Sequence, residues 1–152
     1  MKDAAAGYLS VFRSGLFTGK RIIVTGGGSG IGRCTAHELA HLGADVIITG
    51  RGEDKLKKVV EEITEDGGKC SYKAFDIRDE DAVRKAISEI VAEGGPATGL
   101  VNNAGGQYPS PLEAISTKGF ETVLRTNVVG AFNVSRELVT QSMKDTGGAI
   151  VN

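Results

Sequence analysis

The sequence has 152 residues, enough for one domain with its own hydrophobic core. Apolar residues make up 40% and charged residues 24%, and the net charge of −1 argues against nucleic acid or an anionic membrane as a partner. No apolar run reaches the length that spans a bilayer, and the two cysteines, Cys34 and Cys70, form no closely spaced pair. We therefore expect a soluble domain in the cytoplasm.

Strands and helices are predicted to alternate after an irregular N-terminal arm at residues 1–19. The predicted elements, in chain order, are a strand at 21–25, a glycine-rich turn, a helix that ends at Gly43, a strand at 45–49 and a helix at 54–65. They continue with a strand at 69–75, a helix at 79–93, a strand at 99–103, a helix at 120–143 and a strand at 148–152. In the first helix, the spacing predicts a buried stripe made of Ile31, Thr35, Leu39 and Leu42.

This alternation predicts an α/β fold in which helices cover both faces of a parallel sheet. The first strand is apolar on both faces, as a covered parallel sheet requires. Right-handed crossovers then give a three-layer, doubly wound, Rossmann-type domain over residues 20–152, with strand order 3-2-1-4-5. Because the sequence ends within its fifth apolar strand, we expect the domain to be truncated there.

A glycine-rich segment between the first strand and the first helix has the context of a phosphate-binding loop. Its sequence from Thr25 to Gly32 is TGGGSGIG. Glycine lets the backbone approach a pyrophosphate closely, and the helix N-terminus offers free N–H groups and partial positive charge. The candidate cofactor-binding residues in this segment are Thr25, Gly26, Gly28, Ser29, Gly30, Ile31 and Gly32.

Five motifs in the expected order resemble those of the short-chain dehydrogenase/reductase family. They are the Thr-Gly-x-x-x-Gly-x-Gly loop, Asp76-Ile77, Asn-Asn-Ala-Gly at residues 102–105, Asn127, and residues 147–152 at the fifth strand. The resemblance covers residues 20–152. It implies that Ser29, Gly30 and Ile31 surround the pyrophosphate of a dinucleotide. It also implies that Asp76 and Ile77 face adenine, that Asn103, Ala104 and Gly105 line the ribose and nicotinamide, and that Asn102 ties neighbouring strands together.

The end of the second strand discriminates between the two nicotinamide dinucleotides. In NAD-preferring sites an acidic side chain there binds the ribose 2′-hydroxyl, whereas this sequence has Gly50 followed by Arg51. A guanidinium binds a 2′-phosphate through charge-assisted hydrogen bonds. We therefore predict NADP(H), with Lys55 and Arg33 as secondary contacts. The alternative is that Arg51 is a solvated surface charge.

Residues 37–41 spell His-Glu-Leu-Ala-His, the spacing of a helical zinc site. Such a site needs a third ligand and a cleft, and the sequence contains only two histidines. The helix phase places His37 nearly opposite the predicted buried stripe. We therefore expect two solvated histidines and no metal.

Most residues that move protons in the family are absent from this sequence. Members use a Ser, a Tyr-x-x-x-Lys pair and a helix asparagine, which corresponds to Asn127 here. None of the tyrosines, Tyr8, Tyr72 and Tyr108, is followed by Lys four residues later. We expect the chain to be an inactive N-terminal part of a longer enzyme, and the alternative is a non-catalytic dinucleotide-binding module.

Further stretches resemble particular branches of the family. Residues 101–111 resemble a loop of peroxisomal-type trans-2-enoyl-CoA reductases, and residues 130–136 and 144–148 are similar to those enzymes and to 2,4-dienoyl-CoA reductases. Residues 10–13 and 27–39 resemble bacterial citronellol/citronellal dehydrogenases. The resemblance implies hydride transfer from NADPH to an enoyl-CoA. The alternative substrate is an alcohol or aldehyde.

The loop after the fourth strand is the candidate substrate contact, because it lies at the carboxyl edge of the predicted sheet. Gln107 and Ser110 are its candidate residues, where a developing enolate needs stabilising. The alternative is a plain proline-rich turn. The family resemblance further implies a homo-oligomer formed through the fourth helix, and a peroxisomal location if the source is eukaryotic.

Overall fold

The computed structural model describes residues 10–152, in which five parallel strands form one sheet. The strands are β1 (Arg21–Thr25), β2 (Asp45–Gly50), β3 (Lys69–Ala74), β4 (Gly99–Val101) and β5 (Ala149–Val151). Their order is β3-β2-β1-β4-β5, and every pairing is parallel. The predicted α/β fold and strand order are confirmed. Part of the predicted arm, including Tyr8, lies outside the described residues.

Three helices connect the first four strands, and a long helical stretch precedes the last. The three are α1 (Gly30–His41), α2 (Glu53–Glu65) and α3 (Glu80–Gly94). The stretch consists of α4 (Thr117–Leu124), α5 (Ala131–Leu138) and the short α6 (Lys144–Thr146), joined by π-helical turns at Arg125–Gly130 and Val139–Met143. It begins earlier than the predicted residue 120, because the Ser116 hydroxyl accepts a hydrogen bond from the Gly119 N–H at 3.1 Å and caps the helix.

The sheet separates two hydrophobic layers, because successive side chains of each strand point to opposite faces. On one face, Ile23, Ile47 and Leu100 pack with side chains of α3 and α5, namely Val83, Ala86, Ile87, Ile90, Val134 and Leu138. On the other, Ile22, Val24, Val46 and Ile48 pack with side chains of α1 and α2, namely Ala36, Ala40, Leu56, Val59 and Ile63. This is the three-layer arrangement that the strand–helix alternation predicts.

Helix α1 packs on the sheet mainly through small residues and only partly through the predicted stripe. Its buried positions are Gly32, Ala36 and Ala40, whereas Ile31 is 79% exposed. A Cβ on Gly32 would lie only 2.4 Å from the Gly26 carbonyl oxygen, so larger side chains cannot face the sheet at this distance. The predicted stripe is therefore wrong at Ile31, since close approach of the backbones decides which face is buried, whereas Leu42 is buried and Leu39 packs against the same core layer.

Because α1 buries a partly different face from the predicted one, the prediction for His37 also changes. Its side chain is only 11% exposed, and its Nε2 lies 3.3 Å from the Glu62 carboxylate of α2. The expectation that both histidines are solvated is therefore wrong for His37. Within residues 10–152, no group of three or more His, Cys, Asp and Glu side chains is arranged to hold a metal ion. No helix in this part of the chain is long and apolar enough to cross a bilayer.

Replacing Ile23 by Ala is expected to lower the free energy of unfolding by about 2–5 kcal/mol, because it leaves a cavity in the hydrophobic layer between the sheet and helices α3 and α5. Ile23 is fully buried on β1. The matched control is Val11→Ala, at a side chain that is 96% exposed, with an expected change within about 0.5 kcal/mol. Chemical denaturation measures both, and equal losses would contradict this packing.

Candidate active site

A cleft with a volume of about 800 Å³ runs along the carboxyl edge of the sheet. Ligands of doubly wound sheets bind at this edge, where the strand order reverses. The loops after β1, β2, β3 and β4 all contribute to its wall. The lining residues include Gly26, Gly28, Ser29, Gly50, Arg51, Lys55, Asp76, Ile77, Arg78, Asn103, Ala104, Gly105, Thr122 and Thr126.

Side-chain hydrogen bonds fasten the loop after β4 to the end of β1. The Asn103 amide nitrogen donates to the carbonyl oxygens of Thr25, at 2.9 Å, and Gly26, at 3.3 Å. In return, the Thr25 hydroxyl accepts a hydrogen bond from the Ala104 N–H at 2.9 Å. Thr25 is fully buried. These two side chains therefore build the wall of the cleft, with the Asn103 amide nitrogen and the Thr25 hydroxyl already paired within the protein.

The glycines of the loop after β1 allow a close packing of the backbone that a side chain would obstruct. Gly26 has a positive φ of +70°, and a Cβ there would lie 2.8 Å from the Asn103 amide nitrogen. Gly28 and Ser29 line the cleft directly in front of α1. Gly30 and Ile31 form the exposed first turn of that helix. The N-terminus of α1 consequently presents backbone N–H groups and partial positive charge toward the cleft.

Positive side chains gather where β2 and β3 end. Arg51 and Lys55 line the cleft beside Asp76, which follows β3. Arg78 binds the Asp76 carboxylate with its guanidinium, and these hydrogen bonds are the main cause that lowers the pKa of Asp76 to about 2. Arg33 does not reach the cleft, because its Nε pairs with Glu62 of α2 at 2.7 Å. The structure does not place Arg33 among the residues that line the cleft, and its role as a secondary cofactor contact stays a prediction.

Asn127 lies in the π-helical turn after α4 and clamps the loop after β4. Its Oδ1 accepts from the Gly106 N–H at 2.9 Å, and its Nδ2 donates to the Gly106 carbonyl at 3.0 Å. The side-chain amide thus fixes one residue of the loop through both backbone groups. Irregular helical turns of this kind occur often at functional sites.

Asn102 joins the two last strands, as the resemblance implies. Its backbone N–H donates to the Val151 carbonyl at 2.8 Å. Its side-chain amide nitrogen donates to the Ser135 hydroxyl at 2.9 Å and to the Asn152 side chain at 2.8 Å. Asn102 therefore holds β4, β5 and α5 together and contributes little to the surface of the main cleft.

The candidate substrate residues lie on the loop that leaves the cleft. Gln107 lines two smaller cavities, one of about 330 Å³ with Tyr108 and Lys118, and one of about 380 Å³ with Asn127. Both cavities share Gly106 with the main cleft. Ser110 follows on the same loop and is half-buried. The structure therefore brings Gln107 next to the main cleft, whereas Ser110 lines none of these three cavities.

Eight residues of the cleft were not predicted as its contacts, namely Gly50, Gly52, Leu56, Phe75, Arg78, Gly106, Thr122 and Thr126. The spacing of the two threonines, one helical turn apart on α4 and the turn after it, is a signal for a shared helix face. Arg78 stands two residues after Asp76, the usual reach of a side chain across a tight turn. Nothing in the local sequence marks Gly106 apart from its neighbour Gly105.

Comparison with known proteins agrees with this architecture. The family model described as short chain dehydrogenase matches residues 20–152. A citronellol catabolism dehydrogenase (AtuB) from Pseudomonas aeruginosa PAO1 is 63% identical in a solved structure, with a TM-score of 0.91, covering 95% of this chain and 59% of that one. A gluconate 5-dehydrogenase from Burkholderia cenocepacia J2315, in complex with NADP and tartrate, is 34% identical, with a TM-score of 0.82, covering 88% of this chain and 52% of that one.

A curated relative is named as a probable 2,4-dienoyl-CoA reductase of Caenorhabditis elegans. It is 37% identical over 93% of this chain and 46% of its own length. The chain spans about half the length of the curated relatives that it matches.

Replacing Gly32 by Ala is expected to weaken NADPH binding roughly tenfold or more, because the new Cβ displaces the loop after β1. That Cβ would lie 2.4 Å from both the Gly26 carbonyl oxygen and the Asn103 amide nitrogen. Calorimetric titration measures the affinity. The control is Cys34→Ala, at an exposed side chain of the same helix that does not line the cleft. Retained affinity in the Gly32 variant would contradict the close approach.

Proposed function

The chain belongs to the short-chain dehydrogenase family, and from this premise we propose that it is the cofactor-binding part of an NADP(H)-dependent oxidoreductase. The choice of NADP(H) over NAD(H) rests on the residues at the end of β2. Gly50 and Arg51 line the cleft there, with Lys55 one turn into α2. Two cations line the cleft here, and the last residue of β2 and the residue after it are Gly50 and Arg51 and not an acid, which suits a 2′-phosphate and disfavours the NAD-type contact to a 2′-hydroxyl.

The rest of the cleft fits the same ligand. A Cβ on Gly26 or Gly32 would lie within 2.8 Å of the Asn103 amide nitrogen, so these glycines let the backbone segments pack closely at the N-terminus of α1, where Gly30 faces open space. A pyrophosphate needs such close backbone approach together with free N–H donors. In this proposal Gly28, Ser29, Gly30 and Ile31 surround the pyrophosphate. Asp76 and Ile77 face adenine, and Asn103, Ala104 and Gly105 border the ribose and nicotinamide.

When bound, the dinucleotide supplies or accepts a hydride. The residues of this chain hold and orient it. Asn127 contributes by fixing Gly106, since both polar atoms of its amide bind that residue's backbone. We therefore assign Asn127 a positioning role for the loop at the nicotinamide end, beside its expected place near the proton relay. No tyrosine of the sequence has the Tyr-x-x-x-Lys partner, so we propose that the chain alone binds the cofactor without turnover.

Two substrate classes are supported by different observations. The enoyl-CoA class is supported by the curated 2,4-dienoyl-CoA reductase relatives and by the cavities at Gln107, next to the cofactor side. The alcohol or aldehyde class is supported by the higher identity, 63%, to the dehydrogenase of citronellol catabolism. Both require hydride transfer on NADP(H), and they differ in the bond that is reduced or oxidised.

Replacing Arg51 by Ala is expected to weaken NADPH binding roughly ten- to a hundredfold and to leave NADH binding nearly unchanged. The reason is the loss of charge-assisted hydrogen bonds that only the 2′-phosphate can form. Calorimetric titration with both nucleotides measures this. Arg84→Ala is the control, because Arg84 is on α3 and pairs with Glu80 and Asp81 outside the cleft. An equal loss for both nucleotides would refute NADP(H) selectivity.

The substrate classes are separated by assaying the whole protein that contains this chain. We expect NADPH oxidation with a trans-2-enoyl-CoA if the enoyl-CoA class is correct, and NADP⁺ reduction with citronellol if the alcohol class is correct. The change in absorbance of the nicotinamide reports either reaction. Cofactor binding without turnover of either substrate by the whole protein would instead support a non-catalytic dinucleotide-binding module.

A further inference from the structure

The cleft that we propose for NADP(H) contains one acidic side chain among its lining residues. Asp76 lies there with Arg51, Lys55 and Arg78. A phosphate monoester carries a charge of about −1.5 to −2 at pH 7. An unpaired carboxylate in the same cleft would repel that phosphate and would also attract the guanidinium that should bind it. Selectivity for a 2′-phosphate therefore requires that the charge of Asp76 be compensated.

Arg78 supplies this compensation through a compact local turn. Its Nε lies 3.0 Å from Oδ1 and 3.1 Å from Oδ2 of Asp76, and its Nη2 also donates to Oδ2. The backbone N–H of Arg78 donates to Oδ1 at 3.0 Å. The turn is closed by the Asp79 N–H, which donates to the Asp76 carbonyl at 3.0 Å. Both carboxylate oxygens are thus bound by one residue, before any ligand is considered.

Arg51 stands in contrast to Arg78. Among residues 10–152 it forms no hydrogen bond and no ion pair, although it lines the same cleft. The hydrogen bonds from Arg78 are the largest cause of the lowered pKa of Asp76, and the charge of Arg51 is the smallest. The carboxylate is therefore stabilised by Arg78, and the guanidinium of Arg51 stays available to a ligand.

We propose that Arg78 is a specificity-determining positioning residue: by holding Asp76 in an ion pair, it keeps this carboxylate from engaging Arg51 and leaves Arg51 and Lys55 to bind the 2′-phosphate. The inference rests on the proposed binding of NADP(H) in this cleft. With Arg78 present, three cations and one carboxylate give a net charge of +2. Without Arg78 the net charge of these side chains is +1. The Asp76 carboxylate is then left to attract Arg51 and to repel the phosphate.

The test compares the affinities of the protein for NADPH and NADH, because adenine contacts are common to both and cancel in the ratio. Arg78→Gln is expected to lower the NADPH preference roughly tenfold, as one unit of charge within the cleft changes. Arg84→Gln, which removes the same charge from the α3 surface, is expected to leave the ratio unchanged. Asp76→Asn alone is expected to keep or raise the NADPH preference.

The decisive variant combines Asp76→Asn with Arg78→Gln. If Arg78 acts by compensating Asp76, removing the carboxylate as well restores the NADPH preference. A preference that stays low in the double variant would overturn the proposal, because Arg78 would then bind the phosphate itself or support the fold. An unchanged ratio in Arg78→Gln would overturn it too.

The two proposals fail in different ways. If wild-type protein shows no NADPH preference, the assignment of NADP(H) fails and this inference with it. If Arg51→Ala abolishes the preference while Arg78→Gln keeps it, NADP(H) binding stands and only the role of Arg78 is overturned. Thermal melting of each variant identifies any loss of fold. If Arg78→Gln does not fold, the NADPH preference of Asp76→Asn decides the test. A lower NADPH preference in Asp76→Asn than in the wild type would contradict the proposed repulsion between Asp76 and the phosphate.

Discussion

The cleft depends on the close approach of two turns at the carboxyl edge of the sheet, one after β1 and one after β4. Strand ends leave backbone carbonyls that need partners when they are buried. The Asn103 amide satisfies the carbonyls of Thr25 and Gly26, while the Thr25 hydroxyl binds the Ala104 N–H. This exchange holds both turns in one position. The direction in which α1 leaves the sheet, and hence the N–H groups that face a phosphate, follows from it.

The same constraint explains where sequence-based prediction succeeded and where it failed in the fold. Runs that are apolar on both faces, such as β1 and β2, identify buried parallel strands directly, and their order follows from right-handed crossovers. The buried face of α1 did not follow from apolar spacing. Gly32, Ala36 and Ala40 face the sheet because the helix must lie close to it, while Ile31 is left exposed. The distance between the helix backbone and the sheet is set by tertiary packing, and the spacing of apolar residues in the sequence carries no information about it.

The candidate site, like the fold, could be predicted from the sequence only in part. The loop glycines and Arg51 can be found in the sequence, because a phosphate imposes backbone geometry and charge at fixed distances from a strand end. The partners of these residues cannot be found so easily. Asn127 clamps Gly106 across the loop between them, and His37 is enclosed by carboxylates of α2 and the turn after it. Such contacts arise only when separate segments meet, so neither residue's surroundings followed from its own motif.

The loop after β4 links the cofactor side to the region where a substrate would lie. Gly106 lines the main cleft and both smaller cavities, and Thr122 and Thr126 line the main cleft and the one beside Tyr108. Because Asn127 fixes Gly106 through both backbone groups, movement of the π-helical turn would displace the walls of all three spaces together. In the proposed function, Gly106 would therefore couple the positions of cofactor and substrate. A family with varied substrates can alter the loop beyond Gly106 while the dinucleotide side keeps its geometry.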